Sequence, residues 1–512
     1  METELDLSSV KICVLPKKNM FDAYKMQMPI DTDNFNRYIA TSVVEPAPMS
    51  SGLLREIGGT ESFKLSKEQM NAFELFKKGE NLFITGPGGT GKTKLISVFN
   101  DYAISRGKNI QICALTGCAA LLLKCGARTI HSWSGIRLAK GESDKIVNST
   151  MKNYRAISNW KKTDILIIDE VSMMSMKIFD ILEDIARISR KKFDKKFGGM
   201  QIVLLGDFFQ LPPVGDPFSP ETESFCFESK KWEHVFPLKN HIELVTIFRQ
   251  KDPVYVSILQ DIRRGVVTEE AIHVLKQHVG RVRTDDCVST KIFAINNRAD
   301  FINNQMYKKI IDDEYSFECD VVLNCSTYLE SGDAFSTEVK KKCNSSTELE
   351  KQKEVDSILN SLPCPKILSL KVGCIVMCRC NLDMENGICN GSQGKIIQFI
   401  EVSGNTYPQV LFENGIIKTI EYQFWQSDEL PCVAVFQIPL ILAWAQTIHK
   451  LQGASLASAE IDIGNTVFEY GQVYVALSRV RSLDGLYLIG FEPSKIKANP
   501  KVIDFYEKIK TI

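Results

Sequence analysis

The sequence has no excess of charge of either sign, because 62 lysines and arginines are matched by 62 aspartates and glutamates. Overall charge therefore does not predict a nucleic-acid partner. A polyanion would have to be bound by local basic surface and by backbone amides aimed at phosphates. The apolar fraction of 44% and the charged fraction of 24% are those of an ordinary globular protein.

The fifteen cysteines include no CxxC pair, and the sequence has no long apolar run. The closest cysteines, Cys374, Cys378 and Cys380, lie in a strand-like region without a nearby histidine. Reduced, buried thiols are therefore favoured over zinc ligands or disulfides, which indicates an intracellular compartment. The acidic N-terminus has no signal-peptide core, and no run approaches a membrane span. We expect a soluble intracellular protein.

The most informative stretch is residues 81–99, NLFITGPGGTGKTKLISVF. A short apolar strand is followed by a glycine-rich turn and a helical pattern, which is the context that a GxxxxGK[ST] phosphate-binding loop requires. The backbone amides of such a loop surround a phosphate, and Lys92 and Thr93 supply a charge and a Mg²⁺ ligand. The chain is therefore predicted to bind a nucleoside triphosphate with these residues: Gly86, Pro87, Gly88, Gly89, Thr90, Gly91, Lys92 and Thr93.

Two later strand ends carry candidate catalytic groups. Asp169 and Glu170 close an apolar strand, where Asp169 would hold Mg²⁺ and Glu170 would position and deprotonate the attacking water. Gln210 follows the next strand and could contact the γ-phosphate, although a proline-rich turn without such a role is the alternative. The glutamate favours hydrolysis over binding alone.

Hydrolysis also needs positive charge at the γ-phosphate, and the candidates are Arg249 and Arg479. On sequence chemistry alone, an arginine is more often a surface charge than a catalytic group. The segment 445–453, AQTIHKLQG, offers mixed donors suited to phosphate and sugar. His131 and Trp133 could meet a nucleic-acid strand by hydrogen bonding and stacking, but single residues of these types are more often part of a core.

The alternation of strand and helix patterns predicts an α/β fold with doubly wound parallel sheets. The pattern restarts after about residue 240, and residues 370–426 are β-rich, with Asn390-Gly391 and Asn414-Gly415 as hairpin signals. Residues 335–360 are highly polar, and we expect a solvated helix or loop there. Residues 1–60 show no periodicity and are interpreted as a partly ordered N-terminal extension.

The order of the motifs resembles that of Pif1-like superfamily 1B DNA helicases. The matching pieces are LSKEQ (65–69), the phosphate-binding loop, ALTGCAA (114–120), ARTIHSWSGI (127–136), IIDEVSMM (167–174), GDFFQLPPV (206–214), FRQ (248–250), QTIHKLQGASL (446–456) and VYVALSRVRS (473–482). The stretch at 182–208 is similar to the signature of that family, which separates it from RecD-like relatives.

This resemblance implies two RecA-like domains (P-loop NTPase) with one insertion in each. The implied division is 61–137 with 161–245 for domain 1A, 138–160 for a small wedge insertion 1B, 246–310 with 432–512 for domain 2A, and 311–431 for an insertion 2B that contains an SH3-like β-barrel near 370–426. It also implies that Gln69 reads adenine and that Arg249 and Arg479 are arginine fingers. The implied strand contacts are Thr116, Gly117, His131, Thr447, His449 and Lys450.

The implied activity is ATP- and Mg²⁺-dependent 5′→3′ DNA unwinding in replication, recombination or repair. The implied partners are single-stranded DNA and tailed or forked duplexes, together with RNA–DNA hybrids or G-quadruplexes, and the implied solution state is a monomer. The resemblance favours the nucleus or another site of DNA replication, which the residues themselves do not specify. A cellular helicase and one carried by a large DNA virus would look alike.

Two other functions are compatible with these motifs. One is a single-strand translocase that strips proteins or serves a nuclease complex, with weak unwinding. The other is a nucleotide-switched binding module that hydrolyses slowly, against which Glu170, Gln210 and the two arginines argue. No cluster of carboxylates typical of a metal nuclease stands out in the sequence.

Overall fold

The computed structural model describes residues 65–510, apart from 124, 126, 138, 217–218, 283–289, 324–342, 381, 384–385, 387, 389–390, 403 and 428–429. The predicted extension at 1–60 and Asn390 of one hairpin signal lie outside the described residues. In the described part of the chain, no helix combines the length and apolarity needed to cross a bilayer.

Six parallel strands form the first sheet, in the order β3-β2-β4-β5-β1-β6. They are β1 (Leu82–Thr85), β2 (Ile110–Ala114), β3 (Arg128–Thr129), β4 (Ile165–Asp169), β5 (Gln201–Leu205) and β6 (His241–Glu243). Every residue of β1 and β4 is buried, because elements cover both faces of the sheet. The predicted doubly wound parallel sheet is confirmed.

Among the described residues, the α-helices of this half of the chain are α1 (Lys67–Lys77), α2 (Lys92–Ser105), α3 (Gly117–Leu122), α4 (Ile130–Ser134), α5 (Ser143–Met151), α6 (Tyr154–Lys162), α7 (Met176–Arg190) and α8 (Trp232–Val235). The predicted capping box of α1 is confirmed, since the Ser66 side chain accepts from the Gln69 amide and the Gln69 side chain accepts from the Ser66 amide.

The segment predicted as a wedge insertion, 138–160, contains α5 and most of α6. Trp160 of α6 is fully buried, its ring lies 4.7 Å from that of Trp133, and its indole N–H donates to the Ser134 carbonyl. Trp133 is itself only 2% exposed, so it is a core residue and the suggestion that it stacks on a strand is wrong. Burial of both rings fixes this helical pair on the first sheet's core.

A second parallel sheet has the order β18-β7-β19-β20. Its strands are β7 (Thr290–Phe293), β18 (Ala445–Thr447), β19 (Ala459–Ile463) and β20 (Leu486–Phe491). Helices α9 (Pro253–Arg263), α10 (Glu269–Gln277) and α11 (Asn296–Lys309) precede or follow β7 in the chain. The restart of the α/β pattern after residue 240 is therefore confirmed.

Antiparallel strands occupy the region between β7 and β18. A five-stranded sheet has the order β14-β13-β12-β11-β17, and the smaller groups are β10-β8 and β15-β16-β9. The strands are β8 (Tyr315–Glu318), β9 (Asp320–Val322), β10 (Ile367–Leu370), β11 (Ile375–Cys378), β12 (Gln393–Val402), β13 (Asn405–Phe412), β14 (Ile417–Thr419), β15 (Gln423–Gln426), β16 (Ala434–Gln437) and β17 (Leu440–Leu442). Asn414-Gly415 joins β13 to β14 as predicted. In the polar stretch, α12 spans Glu348–Ser361.

The two last helices are α13 (Gln472–Leu477) and α14 (Pro500–Lys510). The resemblance assigned residues 432–512 to the second domain, whereas Val502 and Tyr506 of α14 pack into the core beneath the first sheet. Phe505 stacks on Phe227 with ring centroids 4.3 Å apart. The chain therefore returns to the first sheet after completing the second, because aromatic surface there is available to bury.

Candidate nucleotide site between the two sheets

A cavity of about 570 Å³ lies where the carboxyl ends of β1, β4 and β5 face residues that belong to the second half of the chain. Parallel strands place the loops that follow them at one edge of a sheet, which is the usual ligand edge of such folds. All the predicted catalytic residues line this cavity: Lys92, Asp169, Glu170, Gln210, Arg249 and Arg479.

The predicted phosphate-binding loop leads directly into α2, whose N-terminus faces the cavity. Gly89 has φ +89°, and a Cβ there would lie 2.5 Å from the Cβ of Arg249, so only glycine fits. Of the predicted loop residues, those that line the cavity are Gly88, Gly89, Gly91, Lys92 and Thr93.

The remaining loop residues support its shape. The Thr90 hydroxyl donates to the Pro87 carbonyl at 3.0 Å, and the Lys92 ammonium donates to the carbonyls of Gly86 and Pro87 at 2.7 and 3.0 Å. Burial lowers the pKa of Lys92, while the negative charges of Asp207, Glu170 and Asp169 oppose that shift.

Gln69 does not line the cavity as described, but it touches the loop from α1. Its Nε2 donates to the Thr90 carbonyl at 3.1 Å, and a Cβ on Gly91 would lie 2.7 Å from that nitrogen. The Phe248 ring lies 3.7 Å from the same Cβ position and lines the cavity. The proposed contact of Gln69 with adenine stays a prediction.

The two carboxylates at the end of β4 have unusual environments. Burial raises the pKa of Asp169 and the adjacent Glu170 raises it further, while Lys92 opposes the shift. Glu170 has φ +55°, a left-handed conformation that is uncommon for residues other than glycine. Its amide donates to Asp169 Oδ1 at 2.9 Å. Strained backbone of this kind often occurs where a side chain must be aimed at a reacting group.

Both predicted arginine fingers reach the phosphate-binding loop from the second half of the chain. A Cβ built on Gly88 would lie 3.6 Å from Arg249 Nη1 and 3.7 Å from Arg479 Nη2. Arg479 is 1% exposed, and its guanidinium donates to Val475 and Ala454 carbonyls at 2.8 and 3.2 Å. Burial, and then the charge of Arg249, lower its pKa to about 10, so it stays cationic at neutral pH.

Two residues that the sequence reasoning did not select also cross the cleft. The Gly88 amide donates to the Tyr474 hydroxyl at 3.0 Å, and Gln452 Nε2 donates to Glu170 Oε2 at 3.0 Å. Both residues lie inside motifs quoted from the sequence, VYVALSRVRS and QTIHKLQGASL. Their place in those motifs was the available signal, but only the fold shows what they touch.

A buried ion pair lies behind the cavity. Arg263 of α9 donates from Nε and Nη2 to the Asp207 carboxylate at 2.8 to 3.1 Å, and its guanidinium stacks 4.6 Å from the Phe209 ring centroid. The Tyr506 hydroxyl accepts from the Phe208 amide at 3.3 Å. The loop after β5 is therefore held by α9 and by α14.

The predicted strand contacts are divided among separate surfaces. Thr116 caps α3 by accepting from the Ala119 amide at 3.2 Å, and Gly117 is exposed beside it. His131 lines a cavity near Lys177, and burial lowers its pKa. These three residues lie at the start of the short helices α3 and α4, which follow β2 and β3 of the first sheet.

The other predicted strand contacts lie at the end of β18 in the second sheet and just after it. Thr447 and Lys450 line a cavity of about 500 Å³ together with residues of α11 and β10. His449 is half-buried, and burial lowers its pKa. His131 thus lines one cavity, and Thr447 and Lys450 line another. The contact of both groups with nucleic acid stays a prediction.

The cavity also fits Mg²⁺. Thr93 and Asp169 both line it and offer hydroxyl and carboxylate oxygens, which are the ligands that this hard cation prefers. A bound cation would lower the raised pKa of Asp169, because the positive charge of the ion would favour the ionised carboxylate.

Two family models match the chain. A model of the PIF1-like helicase matches residues 64–271, and a model of the DNA helicase Pif1 2B domain matches residues 355–399. The human ATP-dependent DNA helicase PIF1 is 32% identical over 87% of this chain and 64% of its own length. The chain thus spans less than two thirds of that relative.

A bacterial relative is covered almost completely. The ATP-dependent DNA helicase Pif1 of Bdellovibrio bacteriovorus is 32% identical over 91% of this chain and 96% of its own length. Among solved structures, Bacteroides Pif1 bound to single-stranded DNA matches with a TM-score of 0.60 and 27% identity, covering 88% of this chain and 98% of that one.

Proposed function

The chain belongs to the Pif1-like helicase family, and we propose that it is an ATP-dependent DNA helicase that moves 5′→3′ on single-stranded DNA and unwinds duplexes. The observation that carries this proposal is the cavity in which a phosphate-binding loop meets Arg249 and Arg479 of the other half of the chain. A nucleotide held there is contacted by both halves of the chain. Its hydrolysis therefore changes the contacts that link the two halves.

Each residue has a proposed role in hydrolysis. The loop amides and Lys92 bind the phosphates, Glu170 takes a proton from the attacking water, and Gln210 orients groups beside the γ-phosphate. Arg249 and Arg479 stabilise the charge that develops on the transferred phosphoryl group. Thr93 and Asp169 would hold Mg²⁺, which would neutralise further phosphate charge.

The step along DNA follows from the position of this site. With ATP bound, contacts from both halves to the γ-phosphate favour a closed cleft, and loss of that phosphate removes them. A strand that lies across the residues after β2 and β18 is then gripped alternately by the two sheets. Such coupling requires that ATP and DNA each favour one state of the cleft over the other.

We further propose the finer points that the resemblance implies. The protein acts as a monomer on single strands and on tailed or forked duplexes, in DNA replication, recombination or repair. RNA–DNA hybrids and G-quadruplexes are additional substrates, and the nucleus or another site of replication is the place of action. Sedimentation of the purified protein and unwinding of each substrate test these points separately.

The main test compares ATP hydrolysis with and without single-stranded DNA, beside unwinding of duplexes that carry a 5′ or a 3′ tail. We expect strong stimulation and unwinding from the 5′ tail only. Stimulation without unwinding from either tail would identify a translocase instead. Hydrolysis that no nucleic acid stimulates would contradict the proposed function.

A further inference from the structure

The segment 445–453 lies between two sites that a DNA motor must connect. Its residues Thr447 and Lys450 line the cavity of the second sheet, while Gly453 lines the nucleotide cavity. Lys450 lies in a single 3₁₀ turn, His449–Leu451, which ends two residues before Gly453. The two ends of the segment are only a few residues apart. A displacement at the strand-binding end therefore also moves the end at the nucleotide cavity.

Gln452 is the side chain that extends from this segment to the catalytic carboxylate. Its Nε2 donates to Glu170 Oε2 at 3.0 Å, across a sequence separation of 282 residues. Its own amide donates to the His449 carbonyl at 3.3 Å, so the backbone of Gln452 is tied to a proposed strand contact. Gln452 therefore contacts both the proposed catalytic base and the backbone of a proposed strand contact.

The environment of Gln452 indicates a role beyond packing. The side chain is only 9% exposed, and its Oε1 has no hydrogen-bond partner among the described residues. A buried amide oxygen without a partner is unfavourable and needs a reason. The hydrogen bond from Nε2 to Glu170 supplies that reason, because only the amide of a glutamine carries this donor.

The residues directly after this segment also contact Arg479, a proposed arginine finger. Arg479 Nη1 donates to the Ala454 carbonyl at 3.2 Å, and the Leu456 amide donates to the Arg479 carbonyl at 2.9 Å. Movement of residues 449–456 would therefore shift the groups proposed to act on both sides of the γ-phosphate.

We propose that Gln452 is a positioning residue that couples strand binding to hydrolysis by fixing the orientation of the Glu170 carboxylate. This inference rests on the proposed function. A strand held at Thr447, His449 and Lys450 fixes the backbone that carries Gln452, and Gln452 then fixes one oxygen of Glu170 so that the other meets the attacking water. Without a strand, the segment is less constrained and Gln452 contributes less to turnover.

The test is Gln452→Met, which keeps the length of the side chain and removes its donor. Because a misplacement of about 1 Å can cost about 100-fold in rate, we expect the turnover at saturating single-stranded DNA to fall about 10- to 100-fold. The strand-free turnover should fall less than about 3-fold, and the KM for ATP and the Kd for DNA should stay within about 2-fold, since Gln452 is assigned to neither binding site. The ratio of the two turnover rates therefore falls.

Gln398→Met is the matched control, because Gln398 pairs with Gln409 in the distant antiparallel sheet. Gln452→Leu is the alternative variant if Gln452→Met does not fold. It should also lower the ratio of turnover with single-stranded DNA to turnover without it. An unchanged ratio in a folded variant, whether both rates fall together or neither falls, would overturn the inference. Failure of DNA to stimulate the parent protein would instead contradict the proposed function.

Discussion

Lys92 shows how a single residue can be essential to chemistry and dispensable for the fold. Its ammonium donates to the carbonyls of Gly86 and Pro87 within the same loop, and the negative charges of nearby acidic residues oppose the lowering of its pKa by burial. We predict that Lys92→Ala abolishes ATP hydrolysis and unwinding, because the phosphates lose their point charge. Circular dichroism and thermal unfolding should match the parent. Lys108→Ala, an exposed change, is the control, and normal ATP hydrolysis in the Lys92 variant would contradict the assignment.

Arg479 and Arg481 form a matched pair for the arginine-finger hypothesis. Arg479 is buried beside Gly88, whereas Arg481 is exposed and donates to the Ser455 hydroxyl at 3.3 Å. We expect Arg479→Ala to lower kcat by about 10³-fold or more, as loss of a transition-state cation does. Arg481→Ala should have a small effect on kcat. Equal effects of the two changes on kcat, measured in steady-state ATP hydrolysis, would contradict the proposal that Arg479 is an arginine finger.

At the scale of elements, the predictable parts are those in which neighbouring residues act together. The phosphate-binding loop, the capping box at Ser66 and the carboxylates after β4 each depend on residues adjacent in sequence, so a motif predicts them. Sequence chemistry made Arg249 and Arg479 candidates, but only the family resemblance favoured a catalytic role for them over a surface position. The contacts of Gln452, Tyr474 and Arg263 join segments far apart in the chain, and tertiary packing alone decides them.

The placement of α14 was likewise beyond the reach of the sequence. Its apolar face predicts burial, but the pattern does not say against which sheet. The aromatic residues Phe208, Phe227 and Trp232 decide the matter, because they provide a surface on the first sheet's core that Phe505 covers. The assignment of residues 432–512 to one domain follows sequence order, whereas this helix follows the available apolar surface.

The anchoring of α14 is testable through the hydroxyl of Tyr506. Tyr506→Phe removes the acceptor of the buried Phe208 amide and a hydrogen bond with Thr85. We expect the free energy of unfolding to fall by about 1–3 kcal/mol, since a buried donor is left unpaired. Urea unfolding would measure this change. Tyr470→Phe, at a 38% exposed site, should stay within about 0.5 kcal/mol. An equal loss in both variants would contradict the anchoring.

At the scale of the whole molecule, the question is whether ATP binding and DNA binding are energetically coupled through the two halves of the chain. Linkage requires that ATP changes the Kd for DNA by the same factor by which DNA changes the Kd for ATP. The parent protein hydrolyses ATP under the proposed function, so this equality must be measured in a variant that binds without turnover. Glu170→Gln is that variant, because it removes the proposed base and leaves the phosphate-binding loop intact.

We expect Glu170→Gln to bind ATP and single-stranded DNA, to hydrolyse ATP at a small fraction of the parent rate, and to remain in the closed state. Each ligand should change the Kd of the other by at least about 5-fold, the usual lower end of coupling between sites. Fluorescence anisotropy of labelled DNA and of a labelled nucleotide gives the two factors independently. Glu74→Gln, at an exposed ion pair on α1, is the control for the substitution itself. Turnover at the parent rate would refute Glu170 as the base, whereas slow turnover with no mutual effect on binding would mean that hydrolysis is not transmitted between the sheets.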